Sequence, residues 1–171
     1  MKIDRRTLRM AFFWFWWEVK NLGKDKIMLI KKGEIFPFGD LKTVKGETVA
    51  LTGPEMGVFY FYPKDDTPGC TIEAKQFTLL EKDFAAKGVQ LFGVSADGPE
   101  SHRAFCDKFG IRFPLLIDEG GRVGQKIGNW RGVNHARTTL LVESSGKVIE
   151  LWDAVKAEGH AQAVLDALNR V

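Results

Sequence analysis

The sequence predicts an α/β fold, a central mixed β-sheet with helices packed on its faces. Three observations carry this expectation. An apolar, aromatic run at residues 58–62 reads as a buried strand and gives way at Pro63 to a turn-rich loop and a helical pattern. From there to Ile117, apolar strands alternate with amphipathic helices, the pattern of parallel strands joined by crossover helices. Finally, residues 137–142 and 147–152 flank Ser144-Ser145-Gly146 as an antiparallel hairpin, and one more helical stretch follows.

The chain has 171 residues, 44% of them apolar, enough for one well-packed core and cramped for two. Residues 31–171 are expected to form that domain, with residues 1–30 as a basic, aromatic N-terminal extension. The net charge of +3 is uneven: residues 1–32 carry nine Lys or Arg against three Asp or Glu, and the rest carries 16 against 19. A mildly acidic body argues against a nucleic-acid surface. Two cysteines are too few for a disulfide scaffold and suit a reducing compartment with a redox or catalytic task, so a cytoplasmic location is expected. No apolar run reaches the ~18 residues of a membrane-spanning helix. No internal repeat or low-complexity segment is visible.

In chain order, the extension places Arg5, Arg6 and Arg9 before an aromatic run at residues 10–17 that holds three of the five Trp. Four readings stay open. It is a membrane-surface segment making weak contact through residues 10–17, an export leader built on Arg5-Arg6, an aromatic surface for the body or a second subunit, or a stretch outside a mature chain that starts at Met28. From Lys31 the pattern becomes regular. Residues 33–38 and 45–51 read as a turn and a short strand pair, and Pro54 and Gly57 break the chain before the aromatic strand. Beyond the loop, Ala74, Phe77, Leu80 and Phe84 recur at helical spacing until Gly88, with Glu73, Lys75, Gln76, Glu81 and Lys82 interleaved as the polar face. Residues 89–95 form the next strand. A second helix starts at Pro99 and stops at Gly110. Residues 113–117 are a short strand, residues 118–125 a glycine-rich turn with at most a short helix, and residues 159–168 the closing helix.

The chemistry concentrates at residues 60–73. Thr67-Pro68 is a good helix start, with Thr as N-cap and Pro at the first helical position, so Cys70 falls in the first turn. Free N–H groups and the positive end of the helix dipole there favour a thiolate. The spacing Pro63-x-x-x-Thr67-x-x-Cys70 resembles the active-site loop of the peroxiredoxins. The longer string Tyr-Pro-Lys-Asp-Asp-Thr-Pro-Gly-Cys-Thr is similar to their bacterioferritin comigratory protein (PrxQ) branch, and the resemblance covers roughly residues 31–168. It implies a thioredoxin-like fold. The implied activity is a thiol peroxidase that reduces hydrogen peroxide and organic hydroperoxides through a sulfenic acid on Cys70, recycled by thioredoxin or a similar donor. No metal, haem, flavin or nucleotide is implied, and the molecule is expected to be a monomer or weak dimer.

The same resemblance assigns the other residues. Many relatives carry a resolving cysteine five positions after the reactive one, but Lys75 stands there. Some place it in the helix that here holds Cys106, which implies an intramolecular Cys70–Cys106 disulfide formed after local unwinding. The alternative is that Cys106 is a small core residue beside Phe105 and Phe109, leaving a one-cysteine enzyme. Ala136-Arg137-Thr138-Thr139-Leu140 resembles the family strand whose Arg faces the reactive sulfur, a role that stabilises thiolate and the developing peroxide charge; otherwise Arg137 is an edge-strand ion-pair residue. Thr67 is expected to cap the helix and to bond the peroxide, and Pro63 to shape and shield the loop. Glu73 either meets Arg137 or sits on a solvated face. His102 and Cys106 have a metal-like i, i+4 spacing but no third ligand. His160 and Trp152 match family positions that packing explains. Two rivals remain: a peroxide-responsive sensor on the same fold, and a plain thiol–disulfide oxidoreductase, the latter disfavoured because Glu73 occupies the second cysteine position of a Cys-x-x-Cys motif.

Overall fold

The aromatic run forms the middle of the protein because both of its faces are covered. In the computed structural model, which describes residues 28–51 and 55–170, strand β2 (Met56–Phe61) pairs on one side with β3 (Val89–Ser95), in parallel, and on the other with β5 (Thr138–Glu143), antiparallel. Strand alternation sends Val58 and Tyr60 to one face and Phe59 and Phe61 to the other, and all four are buried. The full sheet has six strands in the order β1-β4-β3-β2-β5-β6, with β1 at Lys42–Thr43, β4 at Leu115–Ile117 and β6 at Val148–Trp152.

Helix α1 (Pro68–Ala86) connects β2 to β3, and α2 (Pro99–Phe109) connects β3 to the parallel β4. Both crossovers step in the same direction along the sheet, so a common right-handed connection places both helices on one face. That face holds Tyr60, Cys70, Phe77, Phe105 and, from the closing helix α4 (His160–Ala167), Val164. The opposite face packs Phe36, Phe59, Phe61 and Phe92 with Val123 and Ile127 from the short helix α3 (Arg122–Ile127). The predicted mixed sheet with helices on both faces is the observed architecture. Among the described residues no helix is long and apolar enough to cross a membrane. The readings for residues 1–27, including the aromatic run at 10–17, and Pro54 as a breaker lie outside the described residues.

Four local expectations change. Gly57 does not break the chain; it lies inside β2, paired with Gln90 and Val142. A side chain there would have nowhere to go, since an added Cβ would lie 2.6 Å from the Phe59 ring and 3.0 Å from Leu51. The strand pair expected at residues 33–38 and 45–51 does not form: Ile35 and Thr48 make single bridges, to Lys147 and Lys42, and the strand in this region is β1, which lies between them and pairs with β4. The helix after Asp118 is longer than expected and reaches Ile127, because Asp118 accepts hydrogen bonds from the N–H groups of Val123 and Gly124 (2.9 and 2.8 Å) and so starts it. Glu73, placed among the polar positions of α1, is instead buried on the same stripe as Cys70, Ala74 and Phe77. By contrast α2 stops where Gly110 takes the left-handed conformation (φ 66°), as its glycine requires.

Candidate active site

Two adjacent chain ends build the site. Strand β2 finishes at Phe61, and its register partner on β5 is Thr138. The loop leading to α1 and the residue before β5, Arg137, therefore emerge side by side. Pro63 is half-buried in that loop, and Asp66 holds a left-handed backbone (φ 53°) that Asp tolerates better than most residues. The loop then turns into α1 through Thr67, whose extended backbone (ψ 152°) accepts the first helical bond from Thr71 N–H (2.9 Å). Thr67 is thus the N-cap by backbone, but its hydroxyl makes no capping bond. It donates to the Lys64 carbonyl (3.2 Å), which leaves its oxygen lone pairs open as acceptors.

Cys70 is buried in the first turn of α1, and Arg137 Nη2 donates to its Sγ at 3.1 Å. Arg137 Nη1 donates to Glu73 Oε2 at 2.5 Å. One guanidinium fork therefore spans the sulfur and a carboxylate one helical turn further on. Burial works against the Arg137 charge, but Glu73 and Cys70 outweigh it and hold the guanidinium proton more firmly than usual. For Glu73, 1% exposed, burial dominates and pushes the carboxyl up to about 7 despite the pull of Arg137; its Oε1 has no partner among the described residues. Of the two readings that the sequence left open for Glu73, contact with Arg137 is the one observed and the solvated face is not. The signal at Glu73 was position: three residues after Cys70 and one before Ala74, it lies inside an apolar stripe where an acid needs a cation.

The second cysteine has different surroundings. Cys106 is half-buried on α2 and lines a groove of about 350 Å³ with Val44, Ile111, Phe113 and Leu115, a groove that Cys70 does not border. Burial, together with the charges of Asp65 and Asp107, pushes its thiol up to about 11. Both cysteines are free. The metal-like spacing of His102 and Cys106 leads nowhere: His102 Nδ1 meets Asp65 Oδ2 at 2.8 Å and Nε2 meets the Leu116 carbonyl at 3.2 Å, so both ring nitrogens are taken. No group of three or more metal-ligating side chains occurs among the described residues. His160 bonds Thr139 Oγ1 at 2.8 Å and lies against Phe77 and Trp152, a packing position.

The structure thus brings Cys70, Arg137 and Glu73 into direct contact, sets Thr67 at the helix mouth, and keeps Cys106 on a separate helix. Residues 33–151 match the AhpC/TSA family model. A peroxiredoxin Bcp of Xanthomonas campestris is 40% identical over 125 residues, covering 66% of this chain and 75% of that protein. The peroxiredoxin Bcp of Bacillus subtilis is 35% identical, with 83% and 97% covered. Among solved structures, the Xanthomonas campestris bacterioferritin comigratory protein superposes with a TM-score of 0.72 at 34% identity, covering 82% of this chain and 98% of that one. By these matches, and by a sheet and helices arranged as in thioredoxin-like peroxiredoxins, the chain belongs to the AhpC/TSA family on its Bcp/peroxiredoxin Q branch, whose members support a thiol peroxidase.

Proposed function

We propose that Cys70 is the peroxide-reducing thiol of a two-cysteine peroxidase, with Cys106 as the resolving partner. The observation that carries this reading is the 3.1 Å bond from Arg137 to Cys70 Sγ at the first turn of α1. The thiolate attacks the outer oxygen of a hydroperoxide, the O–O bond breaks, and the departing alkoxide or hydroxide takes up a proton, leaving Cys70 as a sulfenic acid. Arg137 stabilises negative charge on the sulfur and then on the separating oxygens. The free lone pairs of Thr67 Oγ1 accept a hydrogen bond from the peroxide, and Pro63 screens the loop from water. Cys106 condenses with the sulfenic acid, releasing water and forming the disulfide. A dithiol donor of the thioredoxin type reduces that disulfide by exchange and is itself oxidised.

The substrates are hydrogen peroxide and organic hydroperoxides; the Xanthomonas campestris relative is described with alkyl peroxide reduction activity. Cys70→Ser is expected to abolish turnover, and retained turnover overturns the assignment. Wild type treated with peroxide is expected to yield a Cys70–Cys106 peptide on mass mapping. The half-burial of Cys106 against Phe109 favours a second reading, a one-cysteine peroxidase. Normal thioredoxin-driven cycling of Cys106→Ala would establish it. A stop after about one equivalent of peroxide, with donor in excess, would point to a sensor instead.

A further inference from the structure

Asp65 has no part in the chemistry above, yet it is among the most heavily bonded side chains near the site. It is 6% exposed. Tyr62 Oη donates to its Oδ1 at 2.7 Å, Ser101 Oγ donates to its Oδ2 at 2.7 Å, and His102 Nδ1 meets the same oxygen at 2.8 Å. Its own backbone N–H donates to Asp97 Oδ2 at 2.9 Å, just before α2 begins. The next residue, Asp66, pairs with Lys108 Nζ at 2.6 Å. Every one of these partners except Tyr62 lies on α2 or at its start, and Tyr62 itself lies against Phe105 of α2. The loop that carries Pro63 and Thr67 is therefore fastened to the helix that carries Cys106, one turn beyond His102.

We infer that Asp65 is a positioning residue that latches α2 onto the active-site loop, so that the rate at which the Cys70–Cys106 disulfide closes is set at Asp65 rather than at either sulfur. This rests on the two-cysteine reading above. Closure needs the two Cα atoms ~4.4–6.8 Å apart. Both thiols are free, Cys70 in the first turn of α1 and Cys106 inside α2, so closure on the two-cysteine reading calls for local unwinding of one or both helices. Where α2 is the helix that moves, it gives up the bonds from Ser101 and His102 to Asp65. The same carboxylate is also one of the charges that keep the Cys106 thiol protonated, alongside Asp107 and the helix's own burial. Release from Asp65 frees Cys106 to move and makes it easier to ionise in one event. Before oxidation, the latch keeps the reduced arrangement in which Arg137 faces Cys70.

The test separates the two chemical phases. Reduced full-length protein is mixed with hydrogen peroxide, quenched with an alkylating agent at successive times, and mapped by mass spectrometry for Cys70 sulfenic acid and for the Cys70–Cys106 peptide. In Asp65→Asn, which weakens charge-assisted bonds from Ser101 and His102, the ratio of closure rate to oxidation rate is expected to rise about tenfold or more. Ser101→Ala, which removes one bond, is expected to raise it about two- to fivefold. Amide exchange of the reduced protein is expected to quicken by similar factors in residues 99–109 and not in residues 160–167. An unchanged ratio in Asp65→Asn, while wild type forms the disulfide, overturns this inference alone. If Asp65→Asn does not fold, an unchanged ratio in Ser101→Ala does the same. Absence of the Cys70–Cys106 peptide in wild type overturns the two-cysteine reading and the inference with it.

Discussion

Replacing Gly69 by Ala should slow the enzyme without weakening the fold. The Cβ added at Gly69 would lie 2.8 Å from Arg137 Nη2 and 3.6 Å from Cζ. Ordinary contact begins at 3.4 Å, so the nitrogen must retreat by about 3.4 − 2.8 = 0.6 Å or more. That nitrogen is the one 3.1 Å from Cys70 Sγ, and its sister Nη1 is anchored on Glu73. The retreat therefore disturbs the length and angle of the bond to sulfur without abolishing it. Complete loss of one such preorganised donor costs ~10²–10³ in rate, so a partial displacement should cost ~10–100-fold in the second-order reaction with peroxide. Stability should move little. The displaced atom is the tip of a flexible side chain, and Ala in a helix gains ~0.5–1 kcal/mol over Gly. Stopped-flow oxidation of Cys70 by hydrogen peroxide, run beside guanidinium unfolding, reads both quantities. Oxidation within twofold of wild type would refute the placement of Arg137. A slow variant that had also lost more than ~2 kcal/mol would refute the claim that only the guanidinium moves.

Further expectations concern the same neighbourhood. Arg137→Met removes the donor outright and strands Glu73, so peroxide reduction should fall ~10²–10³-fold; a loss under fivefold in the same stopped-flow assay would contradict this. For Glu73, a folded carboxyl near 7 against an ordinary 4.5 means that the folded state holds its proton more tightly. The stability it contributes is complete below pH ~4.5 and is lost as pH rises through ~7, at ~1.4 kcal/mol per unit, ~3 kcal/mol in all. Gln mimics the protonated form, so the stability difference between wild type and Glu73→Gln should shift by ~3 kcal/mol between pH 4.5 and 8 in urea titrations. A constant difference rules the assignment out. His135 and His160 carry the opposite sign: burial lowers each from 6.5 to about 4, with Asp118 pulling His135 back, so their contribution is present above pH 6.5 and lost as pH falls toward 4. In the Glu73→Gln background, His160→Gln should reduce the acid slope by roughly half, measured by the same titrations.

What the sequence disclosed was whatever neighbouring residues decide among themselves. Thr67-Pro68 starts a helix, Gly110 ends one, and Ser144-Ser145-Gly146 turns a hairpin, all through local backbone preferences. The alternation of apolar runs gave the sheet and its helices, and the ordered Pro63, Thr67 and Cys70 marked the candidate site. Contacts that join distant segments stayed hidden. Asp65 reads as one more acid in a charged loop until Ser101 and His102, 36 and 37 residues later, are seen around it. Glu73 reads equally as solvated surface or as a partner of Arg137, and only the fold, bringing Arg137 from 64 residues away, decides for the partner. Gly57 reads as a breaker until Leu51 and Phe59 fill the space that a side chain would need. In each case the deciding partner is set by the sheet, and no spacing along the chain announces it.

The pairing of Phe61 with Thr138 has a consequence for how the molecule comes into being. Cys70 and Arg137 meet only because β2 and β5 align residue for residue, and a slip by one position would turn every side chain of β5 to the wrong face. A nascent or partly folded chain that has not yet docked β5 owns a thiol without a guanidinium beside it. On the proposed mechanism, Arg137 can assist the sulfur only once that strand pairing exists, so the site is assembled by the sheet rather than by the loop that carries Cys70.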